Sequence, residues 1–558
     1  MSRTGGRRRP MPASICLLAL LVSACTVRAA EPRGSAERGS VALLPSRDAL
    51  VEAACSLPHR YLLRIWRGTY PGRSGQILLV PREPNFLGTN FPHSGPWEYL
   101  QRVPLFWYGP GVVPALGRVD RSASIADIAP TQAKLLGFDL PPVDGRALPE
   151  IPAPPTPPRL VVTLVWDAGG MGVLEAFPDA WPQLASLIPK GVWYERAEVG
   201  SSPSITPATH ATIGTGLYPM HTGQTDAEFF VGDELVRAGA LGPLLLLRPT
   251  LADLYDRAMG NRPLVGNLSS VTWHLNMMSH GAAWGGGDRD IAVLRVPSEA
   301  DNEGAEGTIW NLQGKNRPFF RFPAYVNDLP PLSSYVDAVD RADGALDGRW
   351  RDNPIEQYEG GWATPARIPY QERMVEEVIA REGFGADDVP DLLFINFKAI
   401  DHVSHIWSVN SPEMGDTLRW QDAALGDFVR FLDREVGRGR YVLVLTADHG
   451  AQFDPKVSGA FQVTPGELQA DLEAAFPSDR RVFVAVRTSQ IYLNEDAMRA
   501  NGYTVEEIAR WLLAYTQGQG APGGPDAIPA GERDEPFFSA VIPTDMLPRL
   551  PCLPEART

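Results

Sequence analysis

Positive charge is in deficit in this 558-residue chain: 51 Lys and Arg stand against 66 Asp and Glu, a net charge of −15. Such a balance excludes broad nucleic-acid binding through phosphate neutralisation. It does not exclude an anionic small molecule, because bound divalent cations would dominate the local field. Long apolar runs are also missing. The N-terminal core from Ile15 to Val22 is too short to span a bilayer as a mature helix. There is no internal repeat, cysteine is limited to four residues, and none of the nine histidines follows His449. The apolar fraction of 44% and charged fraction of 21% are those of an ordinary globular protein. The length allows several domains or one large α/β unit.

The N-terminus reads as an export signal, with Arg7-Arg8-Arg9 ahead of the short apolar core. Val22-Ser23-Ala24-Cys25 has the form of a bacterial lipobox with Cys25 as the lipidated residue; ordinary cleavage near Ala29 or Ala30 is the alternative. On the first reading residues 1–25 are a lipoprotein signal and 26–45 a flexible tether. The mature chain is then exported and held to the extracytoplasmic face of the membrane by its lipid alone. With Cys16 in the signal and Cys25 in the anchor, Cys55 and Cys552 remain. Two remaining cysteines in an exported chain are expected to pair, the alternative being two unrelated buried thiols.

Short apolar runs at 77–81, 160–166, 391–397, 441–446 and 482–487 read as buried strands. Helical patterns lie between them at 369–382, 416–436, 464–475 and 504–515. This alternation predicts a layered α/β sheet with helices on both faces. Asp167, Asp401 and Asp448 fall just past strand ends, where open α/β sheets place their sites. Residues 152–158 are proline-rich and read as an extended, semi-rigid linker. Residues 225–360, rich in Gly, Trp and Asn, are expected to form a cap region over the site.

Several motifs carry chemistry. Thr206-Pro207-Ala208-Thr209-His210 offers a hydroxyl at the start of a helix expected over 207–216, near a terminus favourable to anions. Asp401 and His405 form an Asp-x-x-x-His pair, and Asp448-His449-Gly450 follows a strand. With Asp167, these motifs resemble the two-metal site of the alkaline phosphatase superfamily, especially its type I phosphodiesterase/nucleotide pyrophosphatase branch. That family carries one more ligand histidine near its C-terminus, and here it resembles an upstream residue, His93, in His93-Ser94-Gly95-Pro96-Trp97. Arg73-Ser74-Gly75-Gln76, the segment Val103 to Gly111, Asp127-Ile128-Ala129-Pro130-Thr131 and Asp144-Gly145-Arg146 likewise resemble late family segments, in family order but ahead of the first strand. The resemblance therefore implies a circularly permuted chain. Residues 46–151 would correspond to the family's C-terminal part and 159–554 to its main part, with the cap region inserted at about 225–360. The implied fold is an α/β three-layer sandwich with a central, mostly parallel sheet. A Cys55–Cys552 disulfide would then tie together the ends that permutation separated, closing a loop worth about 4–5 kcal/mol in the chain-entropy model.

The resemblance also implies two divalent metal ions, zinc by ligand type, although manganese or iron suits the same oxygen and nitrogen donors. One ion would take Asp401, His405 and His93; the other Asp167, Asp448, His449 and the Thr206 hydroxyl. Thr206 would be the nucleophile, passing through a phosphothreonine; a plain N-cap is its ordinary alternative. His210 and His221 match positions of structural character, and His402 is off the ligand spacing. Two departures bear on substrate. Ala227 stands where the pyrophosphatase branch has a phosphate-binding Asn, and Thr272 and His274 stand where the monoesterase branch has a Lys-x-Arg pair. Losing those cations disfavours a dianionic monoester more than a diester, with His274, Asn276 or His280 as candidate replacements in binding substrate. The expected function is hydrolysis of a small phosphodiester or pyrophosphate. Phosphomonoesterase activity and an inactive metal-binding surface lipoprotein are the alternatives.

Overall fold

Runs of apolar residues with no polar alternation must be buried on both faces, and that decides the centre of this protein. The computed structural model describes residues 44–296, 309–312, 314–357 and 363–557; the export signal, Cys25 and tether residues 26–43 lie outside them. The strands used below are β1 (Ile77–Pro81), β2 (Leu105–Tyr108), β3 (Gly117–Ser124), β4 (Leu160–Trp166), β5 (Val192–Glu198), β6 (Val265–Leu268), β7 (Asp290–Val296), β8 (Ile309–Asn311), β9 (Phe320–Arg321), β10 (Asp391–Phe397), β11 (Tyr441–Thr446), β12 (Phe483–Val486), β13 (Gln490–Leu493) and β14 (Phe538–Pro543). The large sheet runs β8-β7-β6-β10-β4-β11-β2-β5-β3, with β9 beside β7. Its middle, from β7 through β6, β10 and β4 to β11, is parallel. Every residue of β4, β10 and β11 is buried.

Alternate residues of these strands serve two cores. Val162, Leu164, Leu393, Ile395, Leu443 and Leu445 point into one, and Val161, Val165, Leu392, Phe394, Val442 and Val444 into the other. Helices cover both faces, giving three layers. Those on the second face are α2 (Ile128–Leu136) and, later in the chain, Leu251–Ala258; those on the first are Arg367–Glu382 and Pro412–Leu432. The last of these starts four residues before the periodic pattern does. Ser411 accepts a hydrogen bond from the Met414 amide and Pro412 occupies the first turn, a start signal outside the apolar periodicity. Within residues 225–360, β6 to β9 extend the large sheet, so part of the expected cap region is sheet.

The N-terminal segment is built into the rest at two places. β2 lies antiparallel between β11 and β5 in the large sheet. β1 lies between β13 and β14 in a second, antiparallel sheet ordered β12-β13-β1-β14. Helix α1 (Arg47–Ser56) packs on that sheet, and its Cys55 forms a disulfide with Cys552, 497 residues away, as the cysteine count led us to expect. Residues 152–158 form neither helix nor strand. No helix among the described residues is long and apolar enough to cross a membrane.

Closing so long a loop restricts the unfolded chain far more than the folded one. Reduction, or Cys55→Ser with Cys552→Ser, should lower the thermal midpoint by about 5 °C, measured by calorimetry of oxidised and reduced protein.

Candidate active site

The carboxyl ends of β4, β10 and β11 meet at one point. Asp167 follows β4, Asp448 lies two residues past β11, and Asp401 sits in the first turn of α7 (Ala399–Trp407), just after β10. All three carboxylates are at most 2% exposed. We label the intervening helices α3 (Thr206–Thr215), α4 (Leu251–Ala258), α5 (Thr272–Met278) and α6 (Arg367–Glu382). Thr206 is the first residue of α3. The N-cap is Ile205, so the Thr206 hydroxyl is free of a capping role. Instead it lies 3.3 Å from His449 Nε2 and 3.2 Å from Lys398 Nζ.

Two clusters of ligand-type side chains flank that hydroxyl. His93, Asp401 and His405 form one, and Asp167, Asp448 and His449 the other, with the donor atoms of each cluster within 4.8 Å of one another. The histidines are oriented in the same way. His93 Nδ1 donates to the Ser204 carbonyl, His405 Nδ1 to the Phe91 carbonyl and His449 Nδ1 to the Gly450 carbonyl. A carbonyl can only accept, so each Nδ1 carries a proton and each Nε2 is turned towards its cluster. The Nε2 atoms of His93 and His405 lie 3.6 and 3.5 Å from Asp401 Oδ1, and that of His449 lies 3.2 Å from Asp448 Oδ2 and 3.5 Å from Asp167 Oδ1. The rings of His93 and His449 stack at 3.7 Å, joining the two clusters. The His405 side chain, 37% exposed, marks the solvent side.

The backbone is shaped to this convergence. Ala168 adopts φ +58°, a left-handed conformation costing about 1 kcal/mol or more for a residue with a Cβ. Its amide donates to Asp448 Oδ1 at 3.1 Å, so the turn after β4 fixes the carboxylate after β11. Gly450 passes so close to the N-terminal segment that a Cβ would sit 2.1 Å from the Tyr99 carbonyl oxygen. The Ser204 hydroxyl donates to the His93 carbonyl at 2.9 Å, pinning the His93 loop to the residues that precede α3.

Sequence reasoning missed Lys398. It is 6% exposed, its Nζ lying 2.8 Å from both Asp167 Oδ1 and Asp401 Oδ2. Burial opposes its charge, but Asp167, Asp401 and Asp448 together raise its pKa above the ordinary lysine value. A lysine between Phe397 and Ala399-Ile400, three residues before an aspartate, was the available signal, since lysine is almost never buried unpaired. Asn396 was also missed. Its Nδ2 donates to Asp167 Oδ2 at 2.8 Å and lies 3.1 Å from His210 Nε2. His210 in turn donates from Nδ1 to the Thr206 carbonyl at 2.9 Å, the satisfied, structural position expected for it. His221 is held by Asp144 at 2.8 Å. His274 and Asn276, on α5, are fully buried. His274 meets His210 of the site edge to face, at 4.9 Å between ring centroids, and Asn276 Nδ2 lies near the backbone at Gly239.

One buried ammonium does not balance three ionised carboxylates, and without metal the difference is met by protons held on Asp167 and His449. Asp401 Oδ1 and Asp448 Oδ2 have no hydrogen-bond partner among the described residues, which a buried anion tolerates only beside a cation. The donor set, carboxylate oxygens and imidazole Nε2 atoms, suits divalent transition metals. Burial, and then Asp448, pushes the Asp167 carboxyl up to about 7. Burial would lower His449, but Asp448 beside it raises it to about 9.

The family model described as type I phosphodiesterase / nucleotide pyrophosphatase matches residues 161–520. The chain belongs to this family. It is thereby a phosphoester hydrolase of the alkaline phosphatase superfamily, a group that uses divalent metals. Among its relatives, alkaline phosphatase PafA of Elizabethkingia meningoseptica is 28% identical over 149 residues, which is 25% of this chain and 27% of that protein. A protein named calcium-transporting ATPase from Myroides odoratus is 23% identical over 418 residues, 63% of this chain and 72% of that one. Alkaline phosphatase PhoV of Synechococcus elongatus is 24% identical over 404 residues, 64% and 72% of the two chains. The crystal structure of wild-type PafA aligns with 65% of this chain and 76% of its own at 19% identity and a TM-score of 0.48. The family match starts at β4 and leaves out residues 44–160, which supply His93.

Asp167 and His449 both have folded-state pKa values above their unfolded ones, so without metal each contributes stability that is lost as pH rises through its folded value. A metal ion takes over the protons' role and removes that loss. The thermal midpoints of chelator-treated and metal-loaded protein should therefore draw apart from pH 7 to pH 9, as read by calorimetry in matched buffers.

Proposed function

We propose that the protein is an exported hydrolase of small phosphodiesters or pyrophosphates that uses two divalent metal ions, most simply zinc, and a phosphothreonine formed at Thr206. One observation carries this reading: an uncapped, buried threonine hydroxyl lies where two three-residue ligand clusters meet. Asp401, His405 and His93 would hold one ion; Asp167, Asp448, His449 and the Thr206 oxygen would hold the other. When bound, these ions supply Lewis acidity and stabilise oxygen anions.

The chain's own residues do the rest. Thr206 Oγ1 loses its proton and attacks phosphorus; the Oγ1–P bond forms, the bond to the leaving oxygen breaks, and the leaving group departs protonated. Water then attacks phosphorus, and Thr206 recovers its hydroxyl with release of the phosphate product. His210 and Asn396 hold Thr206 and Asp167 in register, through the Thr206 carbonyl and Asp167 Oδ2. Lys398, 3.2 Å from Oγ1, favours the deprotonated oxygen and faces the charge developing on the phosphoryl group. In this role it replaces part of the charge carried elsewhere in the superfamily by the Lys-x-Arg pair, whose positions are Thr272 and His274 here. A second reading, phosphomonoester hydrolysis, is favoured by the alkaline phosphatases among the relatives.

Three features support circular permutation as the origin of this arrangement: the late-family motifs ahead of β4, the start of the family match at residue 161, and His93 beside Asp401. The N-terminal signal, with Cys25 as its lipid attachment point, supports export and membrane anchoring.

Hydrolysis of bis-p-nitrophenyl phosphate should exceed that of p-nitrophenyl phosphate with zinc-loaded protein, and Thr206→Ala should abolish both while retaining fold and most of the bound metal. Faster monoester cleavage would favour the second reading, and equally inert wild type and variant would sink the enzymatic one. Lys398→Met should lower kcat by about 10²–10³-fold, with metal content by mass spectrometry as the check on site integrity.

A further inference from the structure

A third set of carboxylates lies at the opposite end of the parallel strands from Thr206. Asp256 is in the last turn of α4, Asp288 follows the turn Gly285-Gly286-Gly287, and Asp290 opens β7. One carboxylate oxygen from each falls within 4.8 Å of the others. Asp256 and Asp290 are buried, at 4% and 7% exposure, and Asp288 is exposed. The turn is fixed in place: the Asn261 side-chain amide donates to the Gly286 carbonyl at 3.1 Å, and Gly286 adopts φ +90°.

Asp256 Oδ1 is buried and has no hydrogen-bond partner among the described residues. A carboxylate oxygen in that position, with two further carboxylates beside it, lacks a cation. The influences on Asp256 act in one direction: burial first, then Asp288 and Asp253, together raise its carboxyl to about 7. Asp253 is itself occupied by His280, at 2.7 Å.

We propose that Asp256, Asp288 and Asp290 form a calcium site separate from the catalytic centre. The donors are all oxygen, without imidazole or thiolate, which selects a hard cation. Calcium fits better than magnesium, because it accepts an irregular set of carboxylates, mono- or bidentate, completed by water on the exposed Asp288 side. The ion bridges the C-terminal turn of α4 to the start of β7 and so secures the outer edge of the large sheet.

The test is calorimetric titration of CaCl2 into zinc-loaded full-length protein, with the thermal midpoint as second readout. Wild type should bind one calcium per chain with Kd on the order of 10⁻⁴ M, the range of extracellular sites, and its midpoint should rise. Asp288→Asn alters only the exposed ligand, so it should fold and hydrolyse normally while binding calcium about tenfold or more weakly. The proposal is overturned if wild type shows neither heat nor a midpoint shift at millimolar calcium, or if Asp288→Asn binds as wild type does. It is equally overturned if Asp401→Asn, rather than Asp288→Asn, removes the calcium response, since the ion would then sit in the catalytic cluster.

Discussion

Three carboxylates, Asp167, Asp401 and Asp448, are held in the interior at a spot served by a single ammonium, and much of the surrounding structure can be understood as compensation for that charge. Taking an unpaired carboxylate out of water costs several kcal/mol even after relaxation. Lys398 offsets part of it with two contacts of 2.8 Å. The Ala168 amide and the Asn396 side chain offset more, and the two oxygens left without partners define where cations belong. Stability and chemistry meet here, because the electrostatic imbalance that burdens the metal-free protein is what would hold metal against a threonine oxygen.

The N-terminal segment completes this centre. His93 reaches it from a loop pinned by Ser204 and stacked on His449, while Gly450 lets the neighbouring backbone at Tyr99 approach within the space a side chain would need. β2 lies beside β11, whose end carries Asp448 and His449. Residues outside the family match thus supply a ligand-type histidine and the wall it leans on.

Much of this was legible in the sequence. Uninterrupted apolar runs such as Leu160–Trp166 and Tyr441–Thr446 could only be buried strands, and the aspartates after them stood where strand ends converge. The Asp-x-x-x-His spacing puts Asp401 and His405 on one face of a helix, so that pair was readable too. Lys398 and Asn396 were not, because their roles depend on contacts with Asp167, more than 200 positions away, and no local pattern encodes such a distance. Strand order was equally hidden: β6, β8 and β9 have four residues or fewer, too short to show a period, and β7 went unrecognised despite its apolar run. His274 and Asn276 illustrate the converse. They were singled out by their place at or near the family's Lys-x-Arg positions, and nothing in a short helix of mixed residues revealed that both would be fully buried.

The placement of β1 reaches beyond the folded state. Its neighbours, Gln490–Leu493 and Phe538–Pro543, lie far downstream in the chain. Domains tend to fold as they emerge, but β1 has neither partner until those downstream strands have been made. The strand therefore waits, as does Cys55 for its partner far downstream. Closure of the second sheet and of the disulfide loop both depend on the same downstream segment. The large sheet that carries the buried aspartates has no such dependence, so the two sheets face different demands as the chain is made.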